Sequence, residues 1–467
     1  MRRTARLLSL VVPLLAHPAA GAEALSLDDV TASVEATYPL LAAARADVEL
    51  ARGEVLAAEG AFDPAWRTRL YSVTLGDYNW LRLESQIEAP TPWWGATFLG
   101  GYRLGLGKFA GYDGKLQTFD YGELRAGLLL PLWRNGPTDR RRANIERARL
   151  GTSAADLAVA QLRLEAVRAA SQRYWEWVAA GRRVAIARAL VELARIRDTA
   201  LAERVRRGDL PAYERVDNAR AIQQREAPLV VVTRALEQAA IELGLYLRDE
   251  QGAPRRPPAE LLPAALPEPV ALDPERVREE ARGALERRPE PRRFEVGRAQ
   301  QEVESRLARN QLAPAVDLAV AASYDLPDRT AGHERGKVEL EAGLSVEVPV
   351  RTRAQRGRLD AARAAARRAE EQRRFARDRV IADLDDAASA LEAARRRFEA
   401  SRQESRLARE LEEGERTRFG LGESTLLFVN LREQAAFEAA QRELDAQLDW
   451  HRARASYEAA AALRLGP

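Results

Sequence analysis

One segment of the sequence places charged side chains at every second position. Residues 337–348 alternate almost without exception between polar and apolar side chains. The polar positions are Lys337, Glu339, Glu341, Gly343, Ser345 and Glu347, and the apolar ones are Val338, Leu340, Ala342, Leu344, Val346 and Val348. This period of two predicts a β-strand with two unlike faces, and a tilted strand of about 9–11 residues crosses a bilayer. We expect the apolar face to contact lipid and Lys337, Glu339, Glu341, Ser345 and Glu347 to face a water-filled lumen.

The rest of the sequence offers little for covalent chemistry. It contains no cysteine and only three histidines, His17, His333 and His451. The lack of cysteine excludes disulfides, thiolate metal sites and a cysteine nucleophile. The sequence also has no nucleotide-binding loop and no recognisable pair of nucleophile and base. We therefore predict a protein that is not an enzyme and has no cofactor or metal site.

The charge distribution argues against nucleic acid as a partner. The chain has 73 basic and 70 acidic residues, so the two signs nearly balance. Opposite charges alternate at helical spacing, as in Glu203 with Arg207 and Glu370 with Arg374. This pattern is typical of long solvated helix faces, whereas a nucleic-acid-binding surface needs clustered basic residues.

Two glycine-containing turns follow long helical stretches. The stretches run from about residue 138 to 207 and from about 353 to 418, and neither contains a proline. Seventy helical residues reach roughly 100 Å at about 1.5 Å per residue. The turns consist of Gly208, Asp209, Leu210 and Pro211, and of Phe419, Gly420, Leu421, Gly422, Glu423 and Ser424. Each leads into a returning helix, expected at about 211–248 and 424–463. Either Gly420 or Gly422 can correspond to Gly208.

The whole series of elements occurs twice. Each half reads as a helix, strand-like runs, a long helix, a glycine turn and a returning helix, with opening helices expected at 26–59 and 273–310. Prolines at corresponding points recur about 250 positions apart, at Pro39 and Pro289 and at Pro64 and Pro314. This recurrence indicates a duplicated structural unit. The first half has four strand-like runs and the second has two. The extra pair, at about residues 77–105, either joins the barrel or forms a hairpin at its rim.

Prolines mark the junctions between helices and strands and divide the chain further. The junction prolines are Pro64, Pro131, Pro314 and Pro349. Basic residues followed by an apolar run and Ala20-Gly21-Ala22 predict a signal peptide at residues 1–22, cleaved after Ala22. We expect a first repeat at 23–250, a proline-rich connector at 251–272 that lacks regular structure, and a second repeat at 273–467.

This order of elements resembles the TolC or outer membrane efflux protein family. The resemblance covers the whole mature chain and includes the junctions Phe62-Asp63-Pro64, Leu130-Pro131-Leu132, Leu312-Ala313-Pro314 and Val348-Pro349-Val350, together with both glycine turns. It implies a mainly α-helical protein with a membrane β-barrel contribution, in which three copies form one β-barrel and an α-helical periplasmic tunnel. It also implies an outer membrane location in a Gram-negative bacterium, with most helices in the periplasm.

The resemblance further implies a set of partners. The chain is expected to serve a tripartite efflux or type I secretion system as its outer membrane channel, a passive conduit from the periplasm and the inner-membrane pump to the exterior. An inner-membrane pump of the RND, ABC or MFS type supplies energy, and a periplasmic adaptor (membrane fusion) protein docks on the glycine turns. Some family members narrow the entrance with paired aspartates, but Leu426 and Val429 occupy those positions if Gly420 is the matching glycine. The gating and the exported solute stay open. The alternative is a periplasmic or surface structural coiled-coil protein with a soluble β-domain.

Overall fold

The computed structural model describes residues 24–111, 117–326 and 338–463. The predicted signal peptide and Lys337 lie outside these residues. The helices are α1 (Leu27–Thr37), α2 (Pro39–Glu59), α3 (Arg140–Arg206), α4 (Ala212–Leu243), α5 (Pro274–Arg287), α6 (Pro289–Asn310), α7 (Arg353–Gly420) and α8 (Leu426–Ala460). The strands are β1 (Ala65–Val73), β2 (Trp80–Pro90), β3 (Thr97–Gly107), β4 (Glu123–Pro131), β5 (Ala315–Asp325) and β6 (Val338–Glu347). The expected mainly helical fold with a sheet is confirmed.

The chain divides into two compact units. The helical unit comprises residues up to Leu41, Arg163–Gly283 and the residues from Asp383 onward. The sheet unit comprises Ala42–Leu162 and Ala284–Ala382. Both sequence repeats contribute to each unit. The boundaries predicted for the repeats and connector stay a prediction.

The opening helix of each repeat is two helices rather than one. Ser26 caps α1, because its hydroxyl accepts from the Asp29 amide while the Asp29 carboxylate accepts from the Ser26 amide. The helix then ends at Tyr38, whose ψ of 120° is extended. Arg288 has the same conformation between α5 and α6, with ψ of 130°. The single helices expected at 26–59 and 273–310 are therefore wrong, because a residue that precedes proline disfavours the α region.

All six strands form one antiparallel sheet in sequence order, from β1 to β6. The extra pair, β2 and β3, lies between β1 and β4 and pairs with both. The pair therefore belongs to the sheet and not to a separate hairpin, and its place in a barrel stays a prediction. In the described residues the sheet is open, and β1 and β6 are its edges.

The helical unit contains the larger apolar core. Trp177, Val178 and Leu243 are fully buried in a cluster that also includes Val30 and Val34 of α1. The proline-rich connector contributes Leu266 to this cluster, and its regular structure is limited to a single 3-10 turn at Ala259–Leu261. Within the described residues, no helix is both long enough and apolar enough to cross a membrane.

Candidate functional site

The polar face of the sheet carries the predicted strand residues. Directly paired residues of an antiparallel sheet share a face, so the register places Glu339 beside Ser323, Ser345 beside Asp317 and Glu347 beside Ala315. Glu341 lies opposite Ala321 in β5, and its carboxylate accepts from Arg125 of β4 at 2.8 Å. These four predicted residues therefore share one face of β6. Their placement in a lumen stays a prediction.

Ion pairs cover this polar face. Arg103 of β3 and Glu123 of β4 lie 2.6 Å apart and are largely buried. Further pairs join Arg67 to Glu88, Arg82 to Glu84 and Arg134 to Glu347. The face therefore presents fixed charges of both signs, which can attract or repel charged solutes but provide no nucleophile. In the described part of the chain, no cluster of three acidic, histidine or cysteine side chains is suited to hold a metal ion.

The opposite face of the same sheet is apolar and uncovered. It includes Trp66, Leu70, Leu340, Leu344 and Val346, which expose between 59% and 77% of their surface. A soluble protein rarely leaves a continuous apolar surface of this kind in water. One face of the sheet is therefore suited to water and ions, and the other is suited to an apolar medium.

The four junction prolines lie at strand ends. Pro64 and Pro314 immediately precede β1 and β5, Pro131 is the last residue of β4, and Pro349 follows β6 by two residues. These are positions where the missing N–H of proline does not interrupt a ladder of hydrogen bonds. The prolines therefore define where pairing begins and ends.

The two glycine turns have the same backbone structure. In the first, the Asp209 amide donates to the carbonyl of Arg204, and Gly208 has φ of 81°. In the second, the Glu423 amide donates to the carbonyl of Arg418, and Gly422 has φ of 82°. Both are left-handed helix C-caps that suit glycine. The structure therefore matches Gly422, and not Gly420, with Gly208.

The residues of both turns lie in the helical unit. The Arg204 guanidinium lies 5.9 Å from the centre of the Phe419 ring, so the ends of α3 and α7 are neighbours. Leu421 is 71% exposed, while Leu210 and Ser424 are half-buried. Asp209, Pro211, Gly420 and Glu423 are exposed. The predicted tip residues thus form two adjacent turns with an exposed leucine. Contact with an adaptor stays a prediction.

A buried charge cluster that sequence analysis missed lies about three helical turns from the glycine turns. Glu433 of α8 is only 1% exposed. Its two carboxylate oxygens accept from Arg197 of α3 and Arg225 of α4, each at 2.7 Å. Arg416 of α7 donates to the same carboxylate at 3.3 Å. One carboxylate therefore links four helices, two from each repeat.

Two asparagines complete this cluster. Asn430 accepts from Arg197 and Arg225, and the fully buried Asn218 accepts from Arg197 while donating to the Ala194 carbonyl. Burial alone would raise the pKa of Glu433, but the charges and hydrogen bonds of Arg197 and Arg225 outweigh burial and lower that pKa. The carboxylate therefore stays ionised.

A signal for this cluster was present in the sequence. Leu426, Val429, Glu433 and Ala436 follow helical spacing, and all four are buried. A single carboxylate on an otherwise apolar stripe indicates a buried polar contact. Leu426 and Val429 correspond to the gate aspartates only if Gly420 matches Gly208, whereas the backbone matches Gly422; both side chains pack on this stripe.

Known proteins resemble this chain in sequence over its second half and in fold over nearly its whole length. Residues 281–462 match the model of the family described as outer membrane efflux protein. No curated protein matches the sequence. Among solved structures, a membrane protein from Pseudomonas aeruginosa is similar with a TM-score of 0.64 at 15% identity, covering 97% of this chain and 99% of that one.

Two further structures are similar over nearly the same length. The outer membrane protein VceC from Vibrio cholerae has a TM-score of 0.64 at 15% identity, with 93% of this chain and 95% of that one covered. The MtrE outer membrane channel from Neisseria gonorrhoeae has a TM-score of 0.64 at 17% identity, with 93% and 88% covered. Residues 281–462 therefore match the outer membrane efflux protein family, and the chain as a whole shares its fold with these solved outer membrane proteins.

Proposed function

We propose that this chain is the outer membrane channel of a tripartite efflux or type I secretion system in a Gram-negative bacterium. The observation that carries the proposal is the sheet with a bare apolar face and an ionised face. Lipid can cover Leu340 and Leu344, while water solvates Glu339 and Glu341. The similarity to the MtrE outer membrane channel supports an efflux channel role. The helices lie in the periplasm.

The open sheet supports assembly of several copies. In a bilayer, each unpaired backbone group at the edge of a sheet costs several kcal/mol, and closure into a barrel removes such edges. Six strands fall short of the roughly eight that form the smallest membrane barrels. Three copies that share one barrel leave no unpaired edge and together supply enough strands to close it. A soluble β-domain, the alternative that the sequence left open, would need to cover the apolar face.

The channel is tested on the purified protein in detergent. We expect native mass spectrometry to find a homotrimer and planar bilayers to record discrete conductance steps. The conductance should be independent of nucleotide, because the chain has no recognisable nucleotide-binding loop. A monomer without conductance would contradict the proposal. Heat-modifiable migration in the outer membrane fraction provides a second readout.

The glycine turns are proposed as the docking site of the periplasmic adaptor, which connects the channel to an inner-membrane pump. Leu421 offers the adaptor an apolar contact because 71% of its surface is exposed at the turn. We expect Leu421→Asp to lower export at least tenfold while insertion and trimer formation remain normal, since an aspartate here meets water in the free protein. Export of a reporter substrate by cells measures this effect.

Leu75→Asp is the matched control for this substitution. Leu75 lies between β1 and β2 in the sheet unit and is 89% exposed, whereas the glycine turns belong to the helical unit. Export should be unchanged in this variant. If Leu421→Asp also exports normally, the second turn is not the docking site.

A further inference from the structure

The two edges of the sheet carry opposite charge on its polar face. Across β1 to β4 this face holds five arginines against three glutamates, namely Arg67, Arg69, Arg82, Arg103 and Arg125 against Glu84, Glu88 and Glu123. The described residues of β5 and β6 contribute five carboxylates and no basic side chain, namely Asp317, Asp325, Glu339, Glu341 and Glu347. The β1 edge is therefore cationic, and the β6 edge is anionic.

The strand count sets the direction in which two copies can pair. Neighbouring strands are antiparallel throughout, and their number is even, so β1 and β6 run in opposite directions. The β1 edge of one copy can therefore continue the antiparallel order beside the β6 edge of another. Pairing of β1 with β1, or of β6 with β6, would instead place like charges opposite one another, which is unfavourable. Charge thus favours head-to-tail pairing, which closes into a ring.

The stagger of the strands gives the register of this pairing. A path straight across the hydrogen-bonded pairs runs from Ala65 of β1 through Glu88, Leu99, Gly127 and Ala321 to Glu341 of β6. It meets β6 six residues before the last residue, Glu347. We place the first residue of β1 in the next copy, Ala65, opposite the last residue of β6, Glu347, so that the six-residue shift spans one full set of six strands. Arg67 of that copy then neighbours Glu347, and its Arg69 neighbours Glu341.

This stagger suits a closed barrel. A shift of six residues over six strands corresponds to a strand tilt of about 35°, which lies in the range of known barrels. Because the stagger repeats in each copy, the tilt does not depend on the number of copies. With three copies the barrel has 18 strands and a backbone radius of about 17 Å, wide enough for an aqueous channel.

We propose that the seam between copies is an antiparallel pairing of β1 with β6 of the next copy, selected by Arg67 and Arg69 against Glu341 and Glu347. This inference rests on the proposed function, which requires copies to share a barrel. The inference specifies which edges meet and in which register they pair. It also specifies that each copy contributes six strands to the barrel. Arg69 supports the assignment, because it has no ion-pair partner in the described part of the chain and is exposed at the edge.

Cysteine cross-linking tests the seam directly, since the native chain has no cysteine. The register places Thr68 opposite Leu344 of the next copy on the apolar face. Thr68→Cys combined with Leu344→Cys should form a disulfide between copies and yield covalent trimers on denaturing gels. Thr68→Cys combined with Leu340→Cys is the matched control. Its cysteines would be separated by about four residues, or about 13 Å, along the strand and should not cross-link.

The possible outcomes distinguish a failure of the proposed seam from a failure of the proposed channel function. Cross-linked dimers with Thr68→Cys alone would indicate β1–β1 pairing and overturn the inference. So would a conducting trimer in which Thr68→Cys with Leu344→Cys stays unlinked, although the proposed function would stand. A monomer without conductance would overturn both.

Reversing the charges of the seam residues tests whether these charges select the pairing of β1 with β6. Arg67→Glu with Arg69→Glu should lower the cross-linked fraction about tenfold, and the added changes Glu341→Arg and Glu347→Arg should restore it. An unchanged fraction in the first variant would show that these charges do not select the seam.

Discussion

Replacing Glu433 with alanine should increase local opening of the four helices around it several hundred-fold or more. The substitution leaves Arg197 and Arg225 nearly buried, with side chains 11% and 6% exposed, and without their carboxylate. Removing one partner of a buried ion pair typically costs about 3–5 kcal/mol, because the remaining charge is desolvated without compensation. The arginines keep their bonds to Asn430, but an amide oxygen carries no charge to balance them.

Amide hydrogen exchange measures this effect in the intact protein. The readout is the exchange of α8 amides near residue 433, compared with the native chain in the same detergent and at the same pH. Local opening is the appropriate quantity because a long multi-unit protein has no single free energy of unfolding. A tenfold change in the opening equilibrium corresponds to about 1.4 kcal/mol.

Glu404→Ala provides the matched control for Glu433→Ala. Glu404 of α7 also pairs with an arginine of α8, Arg442, at 2.7 Å, but both side chains are about half exposed. Water screens an exposed pair and it adds little to stability, so exchange should change by less than tenfold. Equal effects of the two substitutions would contradict the role assigned to the buried cluster.

A second variant distinguishes the effect of uncompensated buried charge from the effect of lost packing volume. Combining Glu433→Leu with Arg197→Met and Arg225→Met removes the three most buried charges together and retains side-chain volume, while Arg416 keeps its ion pair with Glu412. Hydrophobic replacement of a whole buried ion cluster is often neutral or stabilising. The triple variant should therefore exchange more slowly than Glu433→Ala.

The parts of the fold that follow local patterns could be predicted from the sequence. The period of two in residues 338–347 identified β6, and a long proline-free segment identified α7 to within two residues of its end at Gly420. Both signals arise from neighbouring residues along one chain segment. The break at Tyr38 is equally local, because Pro39 disfavours the α region for the residue before it.

Features that depend on distant pairing could not be predicted in this way. The position of β2 and β3 inside the sheet depends on which strand each pairs with, and a turn at the rim was equally compatible with their sequences. The match of Gly422 to Gly208 required backbone dihedral angles. The partners of Glu433 come from helices more than 200 residues away, although its place on an apolar stripe marked it as unusual.

His451 should make the helical unit less stable as the pH falls from 6.5 to 4. Its ring is 1% exposed and stacks on Trp175 with 4.0 Å between ring centres. Its Nε2 lies 3.1 Å from the carbonyl oxygen of Pro267 in the connector, and because a carbonyl can only accept, this nitrogen carries a proton and donates it. Burial lowers the pKa of His451 to about 4; the hydrogen bond to Pro267 partly opposes this shift, and Arg454 adds to it.

The direction of the effect follows from this lowered pKa. In the unfolded chain the imidazole takes up a proton near pH 6.5, whereas in the folded chain it stays neutral until about pH 4. Protons therefore favour the unfolded state in this range, and stability is lost as the pH falls. The full difference corresponds to about 3 kcal/mol, of which about 2 kcal/mol is lost by pH 5.

Comparison with His451→Gln at each pH isolates this contribution. Glutamine can still donate to the Pro267 carbonyl but does not titrate. We expect hydrogen exchange of α8 amides near residue 451 to accelerate between pH 7 and pH 5 in the native chain relative to the variant, after correction for intrinsic exchange. Burial raises the pKa of Glu412, which acts in the opposite direction, but this contribution is shared by both proteins and cancels in the comparison. Identical pH profiles would mean that His451 is not held neutral, and the contact between the connector and α8 would then require a different explanation.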